Sequence, residues 1–585
     1  MNYRLRNNYP LNPQLAMAAI LQDRGVSDID NFLRPSPECE LDPFDLENIE
    51  PAAEMLMKHL RADSRILFIV DADTDGYTSS SVLWLYIKHI YPGARLDFTI
   101  HEHKQHGLSD KIDWIEEQNF NLVIVPDAGS YNVEEHRRLY ELGIDCLVLD
   151  HHSPEMDSEN NTPPNTIIVN NQLSPRYRNK SLCGVGVVYK FCEVLDKKLR
   201  IKQSQEYLDL VALGEIADVM DKRDIETNYL MMAGLRNIKN KGFQTLLESQ
   251  SYSLKEHGIY PYEGLNSIDI AFYISPLINA IIRVGSNTEK ENLFYCFITP
   301  DRQVKSTKRG AKEGDKETAA EQIARASKNA KSRQDKAKER ALDMIDFRIQ
   351  KDNLADNNII LVEVYPEDNI QQELTGLIAM GIVSKYHKPC MIVRRNEQNE
   401  LQGSLRSDGN FAGLPSFKVF LEESNCTMYV AGHDNAAGVG IMANNVPSLM
   451  KYANTHLNSS AFENCYIVDY ILDARENNTD LLTSLASYPE YFGNQIDDIH
   501  IVIENITLSQ LMVMGSNKDS IKISYNGIDY VKFKDTNFIE EVQNNRMKKL
   551  TVYGTVNLNT YNNVTTVQIF IRDYELKDDE HKYDF

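Results

Sequence analysis

From Arg65 onward the chain alternates between short apolar runs and amphipathic stretches. RILFIV (65–70), ARLDFTI (94–100), NLVIVPD (121–127) and DCLVLD (145–150) read as buried strands. The segments between them, such as SSSVLWLYIKHIY and VEEHRRLYELG, carry apolar residues at helical spacing. Strands alternating with helices of this length predict an α/β fold with a mostly parallel sheet and crossover helices.

The pattern changes on either side of this block. In the first fifty residues LAMAAILQDRG has helical spacing, and Pro35, Pro37 and Pro43 then break it, which predicts a small helical preface. Residues 302–345 are rich in Lys, Arg, Ala and Glu and predict a long exposed connecting helix. A second α/β unit follows, with NNIILVEVY (357–365), GLIAMGIVSKY (376–386) and PCMIVRR (389–395). After about residue 460, short runs such as HIVIENIT, IKISYNG, LTVYGTVNL and TTVQIFIRD are separated by Asn-rich turns and predict a small β-barrel or sandwich. The chain of 585 residues exceeds a single core. The expected segments are 1–50, 51–300, 301–350, 351–457 and 458–585.

Composition narrows the function. With 42% hydrophobic and 25% charged residues the chain is an ordinary globular one. No apolar run reaches the roughly 18–20 residues of a membrane span, so no membrane partner is expected. The N-terminus lacks a secretory core, and the eight cysteines form no C-x-x-C pair, which suits a reducing cytoplasm. A net charge of -23 excludes coating nucleic acid by bulk electrostatics. It leaves room for a nuclease whose acids hold metal.

Acids sit where those strands end. Asp71-Ala-Asp73-Thr-Asp75-Gly76 follows RILFIV directly. D-x-D-x-D-G also opens an EF-hand calcium loop, but that loop needs a preceding helix and a Glu at position twelve, where Val82 stands. Asp127 ends the third run, Asp150-His151-His152 ends the fourth, and Asp218 follows the apolar helical stretch VALGEIA. In an open α/β sheet the ligand crevice lies beyond the carboxyl ends of the strands, so these groups are expected to converge. One such Asp alone would be read as a helix cap. A whole set would stay partly protonated unless cations were bound, and mixed carboxylate and imidazole ligands suit Mn²⁺ or Mg²⁺. Two ions about 3.5–4 Å apart clamp a phosphoryl group and make water nucleophilic at neutral pH.

At these residues the chain resembles the DHH phosphoesterase superfamily, named for the triplet found here at 150–152, and within it the RecJ group of single-strand-specific 5′→3′ exonucleases. SLCGVGVVYKF, LGEIADVMD and ISPLINAIIRVG resemble its later phosphoesterase motifs. LTGLIAMGIVSKYHKP, GSLRS (403–407) and AGHDNAAG (431–438) resemble the DHH-associated second domain, and the β-rich end resembles an OB-fold. The resemblance implies that Asp73, Asp75, Asp127, His151 and Asp218 hold two ions, with Asp127 bridging. It implies that His152 faces the scissile phosphate and that Asp150 supports a neighbouring histidine. Ser404, Arg406 and His433, with Asn279 and Arg283, would grip DNA phosphates. Ile69 stands where many relatives have His, which makes Asp71 a substitute ligand. Leu277 and Ile282 replace an Arg and a Gly, and Ala431 replaces the first Gly of a Gly-Gly-His pattern.

His101, His103 and His106 are read as a DNA-contacting or structural loop, with Lys104 and His106 within reach of a phosphate. Tyr525, Tyr530, Tyr553, Tyr561 and Phe570 are candidates for stacking on bases, and the basic run 302–345 for contacting DNA. The expected protein is a monomeric cytoplasmic exonuclease of single-stranded DNA acting in recombination and repair. Its candidate partners are a single-strand-binding protein or a helicase. A nanoRNA or cyclic-dinucleotide phosphodiesterase and a non-catalytic scaffold are the rival readings.

Overall fold

The computed structural model describes residues 1–102, 105–153, 162–256, 264–463, 465–561 and 564–578. The chain divides into two compact units. One comprises Gln14–Lys331 with Ser487–Asp498; the other comprises Met1–Pro13, Ser332–Ala486 and Ile499–Phe585.

The first unit is built on a five-stranded parallel sheet. Across the sheet the strands run Arg95–Ile100, Arg65–Val70, Leu122–Pro126, Asp145–Asp150 and Thr166–Asn170. The four apolar runs read from the sequence are its first four strands in chain order; the short Thr166–Asn170 was not among them. The spatial order 2-1-3-4-5 reverses direction between the strands ending at Val70 and Pro126. Such a switch point is where doubly wound sheets open a crevice. Both faces of the sheet are covered, as two-sided strands require. Phe68 and Val70 pack into a large core with the helices Ile49–Arg61, Thr74–Ile90, Gly184–Leu199 and Leu208–Ala217. Leu67 and Ile69 point the other way, against Ile112, Ile115 and Leu139.

The basic stretch after residue 301 is not helical throughout. Gln303–Lys305 pairs antiparallel with Lys316–Thr318, and the helix begins at Ala319 and runs to Lys351. Buried Glu317 explains the hairpin: it receives both terminal nitrogens of Arg325, at 2.9 and 2.7 Å, and the Thr307 N–H at 2.8 Å. Composition hides that contact. The apolar helical run Ser267–Val284 is long and apolar enough to cross a membrane by length and composition. Ile270, Ile274, Ile278 and Ile281 bury it in the core.

The second unit holds two sheets. One runs Tyr429–His433, Ala436–Met442, Glu400–Arg406, Cys390–Arg395 and Ile360–Glu363, with the helix Thr375–Tyr386 packed on it. The other contains seven strands, from Tyr470–Asp473 at one edge to Gln510–Met514 at the other, around the long hairpin Lys549–Tyr561/Val564–Lys577. This is the expected OB-like β domain in open form: its two edge strands do not pair among the described residues. Tyr530 and Tyr553 are buried in it, so they serve packing rather than base stacking. The N-terminal preface is helical at Pro13–Asp23 and Ile29–Leu33, but it opens with a strand, Asn2–Leu5, paired in parallel with Cys465–Val468.

Lys190 anchors the helix Gly184–Leu199, whose N-terminus faces the acids. Its fully buried amine meets Glu226 at 2.9 Å, Glu193 at 2.8 Å and Glu40 at 3.3 Å. Removing one partner of a buried ion cluster leaves uncompensated charge, a loss of about 3–5 kcal/mol. Lys190→Ala is therefore expected to lower the urea midpoint of the first unfolding transition clearly; an unchanged midpoint would contradict this packing.

Candidate metal centre

The acids are held by the geometry of strand ends and helix starts. Asp73, in extended conformation, caps the helix Thr74–Ile90 and accepts from the Gly76 N–H at 2.9 Å. Gly76 allows the chain to double back here, because a Cβ on it would lie 2.5 Å from that of Asp71. Asp75 faces a second helix N-terminus: it accepts from the N–H groups of Gly184 at 2.6 Å and Val185 at 2.9 Å, and from Ser79 Oγ at 3.2 Å. These N–H groups suit a negative charge. Asp127 sits at positive φ (70°) with its own N–H donating to Leu149 O at 2.7 Å. That turn aims its carboxylate across the switch point at Gly184, where a Cβ would overlap Oδ1.

His151 ties the acids together. Its Nε2 lies 3.2 Å from Asp127, 3.6 Å from Asp218 and 3.9 Å from Asp75. Asp150 points away from this group and is fully occupied. Its Oδ1 accepts from the His151 N–H at 2.7 Å and the His152 N–H at 3.1 Å, and meets His152 Nδ1 at 2.8 Å; its Oδ2 accepts from the Ser130 N–H at 3.0 Å. This fixes the His152 ring with its other nitrogen free of Asp150, half-exposed beside the cluster.

The charges conflict. Burial first, then the charges of Asp75, Asp73 and Asp71, push the Asp127 carboxyl well above the carboxylate range. Burial and the charges of Asp75 and Asp73 raise Asp218 to about 8. Asp71 is raised by burial, and burial lowers His151. Asp150 goes the other way: burial would raise it, but its bonds and opposite charge from His152 hold it below the usual range. The hydrogen bond to Asp150 lifts His152 to about 9.

The donor set fits divalent cations. Both oxygens of Asp127 are buried and meet no hydrogen-bond donor among the described residues. Such orphaned buried acceptors are rare and call for an ion or water. Three groups bring ligand atoms within 4.8 Å of one another: Asp127 with His151 and His152, Asp75 with His151 and Asp218, and Asp71 with Asp73 and His106. All-oxygen and imidazole donors match Mn²⁺ or Mg²⁺ better than thiolate-loving metals.

Other expected site residues fall into three places. His106, read as a phosphate contact, lies against Asp71, with Nδ1 2.5 Å from Oδ2. His101 is buried behind it, 3.7 Å from Asp71 and 2.8 Å from Asp110. Asn279 accepts from Thr74 Oγ1 at 3.1 Å, and Arg283 stands one turn further along the same helix, Ser275–Val284. Leu277 and Ile282 are buried on that helix. Ser404 and Arg406 share a strand in the second unit, and His433 ends the strand Tyr429–His433. Ser404 Oγ lies 2.9 Å from Thr375 Oγ1, and the Arg406 guanidinium covers Gly376 so closely that a Cβ there would clash. Thr375 and Gly376, which no sequence motif singles out, stand beside these groups; their signal is the Thr-Gly that opens an apolar helix. Lys104 and His103 lie outside the described residues.

A doubly wound sheet with an acid and histidine cluster at its switch point defines a DHH-type domain, and the DHH family N-terminal domain matches residues 65–215. The RecJ OB domain matches residues 468–573. A Bacillus subtilis prophage protein, YorK, named as a single-strand DNA-specific exonuclease, is 35% identical over 99% of this chain and 98% of its own. The single-stranded-DNA-specific exonuclease RecJ of B. subtilis is 23% identical over 95% of this chain and 67% of its own. Thermus thermophilus RecJ, solved with Mn²⁺, superposes with a TM-score of 0.71 at 20% identity, covering 98% of this chain and 79% of that one. The chain belongs to the RecJ-like family of the DHH superfamily.

Two outcomes follow from the geometry. Gly184→Ala displaces Asp127 and is expected to weaken Mn²⁺ binding about tenfold or more by calorimetry; wild-type affinity would contradict the assigned fit. In metal-free protein, the His152 imidazole is expected to titrate near about 9 by NMR, and Asp150→Asn to return it toward 6.5, the free value. The folded value lies above the free one, so this pair's stabilisation is complete below about pH 6.5 and is lost as pH rises through about 9. A value near 6.5 in both proteins would contradict the Asp150–His152 pairing.

Proposed function

We propose that this chain is a metal-dependent exonuclease that hydrolyses single-stranded DNA from the 5′ end. The observation that carries the reading is Asp127, a buried carboxylate whose oxygens accept no hydrogen bond among the described residues and whose Oδ1 faces His151 Nε2 at 3.2 Å. The family's named activity and the metal-bound T. thermophilus relative support it.

Asp73, Asp75, Asp127, His151 and Asp218 are the proposed ligands, with Asp71 and His106 beside Asp73 as candidates for completing one of two positions. Bound Mn²⁺ or Mg²⁺ would neutralise the acids, activate water and offset charge on the departing oxygen. The protein's own groups supply the rest. His152, its ring held by Asp150, donates to a non-bridging phosphate oxygen or hands a proton to the leaving 3′ oxygen. Asp150 holds the ring in that orientation. Asn279 and Arg283 bind a flanking phosphate. On the second unit, Ser404, Thr375 and Arg406 offer hydroxyl and guanidinium donors of the kind that grip phosphates. His433 is proposed as a further phosphate contact.

We assign the chain a role in DNA recombination and repair, as a monomer in a reducing cytoplasm. Its eight free thiols support that compartment. A single-strand-binding protein or helicase is the proposed partner.

The test is digestion of 5′- and 3′-labelled single strands with Mn²⁺ or Mg²⁺, alongside duplex and dinucleotide substrates. The expected result is release from the 5′ end of single strands only. Asp127→Ala and His151→Ala are expected to reduce cleavage to background, and His152→Ala to slow it about 10²–10⁴-fold. Activity confined to dinucleotides, or unchanged by Asp127→Ala, would sink the reading.

A further inference from the structure

Part of the region that matches the RecJ OB domain packs against the end of the helix that leads to Asp218. The segment Ser487–Asp498 lies within the region matched by the RecJ OB domain, yet it packs as part of the unit that carries the metal centre. It forms a tight turn closed by Gly493 N–H to Ile496 O at 2.9 Å and Ile496 N–H to Gly493 O at 3.1 Å. The two central residues, Asn494 and Gln495, both have positive φ, at 46° and 71°, as in a type I′ turn.

The apex of this turn meets the end of the helix Leu208–Ala217, whose capping residue is Asp218 itself. The helix closes with a Schellman arrangement: Val219 N–H donates to Ile216 O at 3.1 Å and Met220 N–H to Glu215 O at 3.1 Å. That motif places the next residue at positive φ, normally a glycine. Here it is Val219, at φ 56°. A β-branched side chain in this region is strained, and surrounding contacts must hold it.

The turn supplies those contacts. Buried Asn494 donates its amide to both carbonyls of the motif, Glu215 O and Ile216 O, at 3.4 Å each. Gln495 donates to Val219 O at 3.4 Å. The Lys222 N–H returns a bond to Asn494 O at 3.3 Å. Its buried amine donates to Glu490 O at 2.6 Å and Phe492 O at 3.4 Å. Individually most of these bonds are long; together they fix both ends of the loop from Asp218 to Lys222.

We propose that the turn Gly493–Ile496 is a positioning element for the metal centre, with Asn494 locking the strained Val219 so that the Asp218 carboxylate faces His151. The proposal rests on Asp218 being a ligand. It gives the short segment Ser487–Asp498, which packs within the metal-bearing unit, a part in shaping the metal centre.

The strain offers the test. Asn494→Gly tolerates the positive φ and removes the side chain that carries the amide. In the full-length protein it is expected to weaken Mn²⁺ binding about tenfold, by calorimetry and by electron paramagnetic resonance. Cleavage lost at low Mn²⁺ should be recovered at high Mn²⁺. Val219→Gly removes the strain that the turn opposes, so adding it to Asn494→Gly is expected to restore affinity, which a general loss of packing would not allow. Wild-type Mn²⁺ affinity in Asn494→Gly, or no recovery in the double variant, would overturn the proposal. Asp218→Ala is the separate control: wild-type Mn²⁺ binding there would overturn the ligand assignment on which the proposal rests.

Discussion

Mutual repulsion among carboxylates at one switch point is the constraint that shapes the metal-bearing unit. Asp71, Asp73, Asp75, Asp127 and Asp218 come from three strand or helix ends far apart in sequence. Water screens Asp71, Asp75 and Asp127 little, because they are buried. The fold opposes the repulsion with two helix N-termini, with His151 between three of the acids, and with Asp150 turned away to serve His152. It leaves Asp127 without a hydrogen-bond donor, and Asp127 and Asp218 shifted toward the neutral acid. That is the state of a site completed by positive charge from outside the chain.

Much of this could be read from the sequence because its signals are local. A strand buried on both faces announces itself as a short apolar run, and an acid just after it lands at the carboxyl end of the sheet whatever the rest of the fold does. RILFIV with Asp71, and DCLVLD with His151, therefore point to one end of the sheet, where the acids and histidines cluster. The seven-stranded β domain was legible for the same reason, although its open edges were not, since closure depends on how the first and last strands approach each other.

What escaped depended on distant partners. The pairing of His106 with Asp71 joins residues whose side chains nothing in the spacing brings together. The hairpin before Ala319 rests on one buried glutamate in a run that looks merely charged. Thr166–Asn170 is no shorter than Leu122–Pro126, but its Pro- and Asn-rich flanks make it read as a loop. The turn at Asn494 reads as an ordinary Gly-Asn loop in a β domain, and only the folded chain reveals that it touches the cap of a helix more than 270 residues away. Contacts of this kind set orientation rather than chemistry, so the acids and histidines of the cluster are legible in the sequence while their supports are not.

Divalent cations offsetting the switch-point acids would be visible by anomalous scattering from crystals grown with Mn²⁺. Two manganese peaks are expected within the group formed by Asp71, Asp73, Asp75, Asp127, His151 and Asp218. A fully ordered site with no anomalous peak at Asp127, or manganese bound only elsewhere, would contradict that expectation.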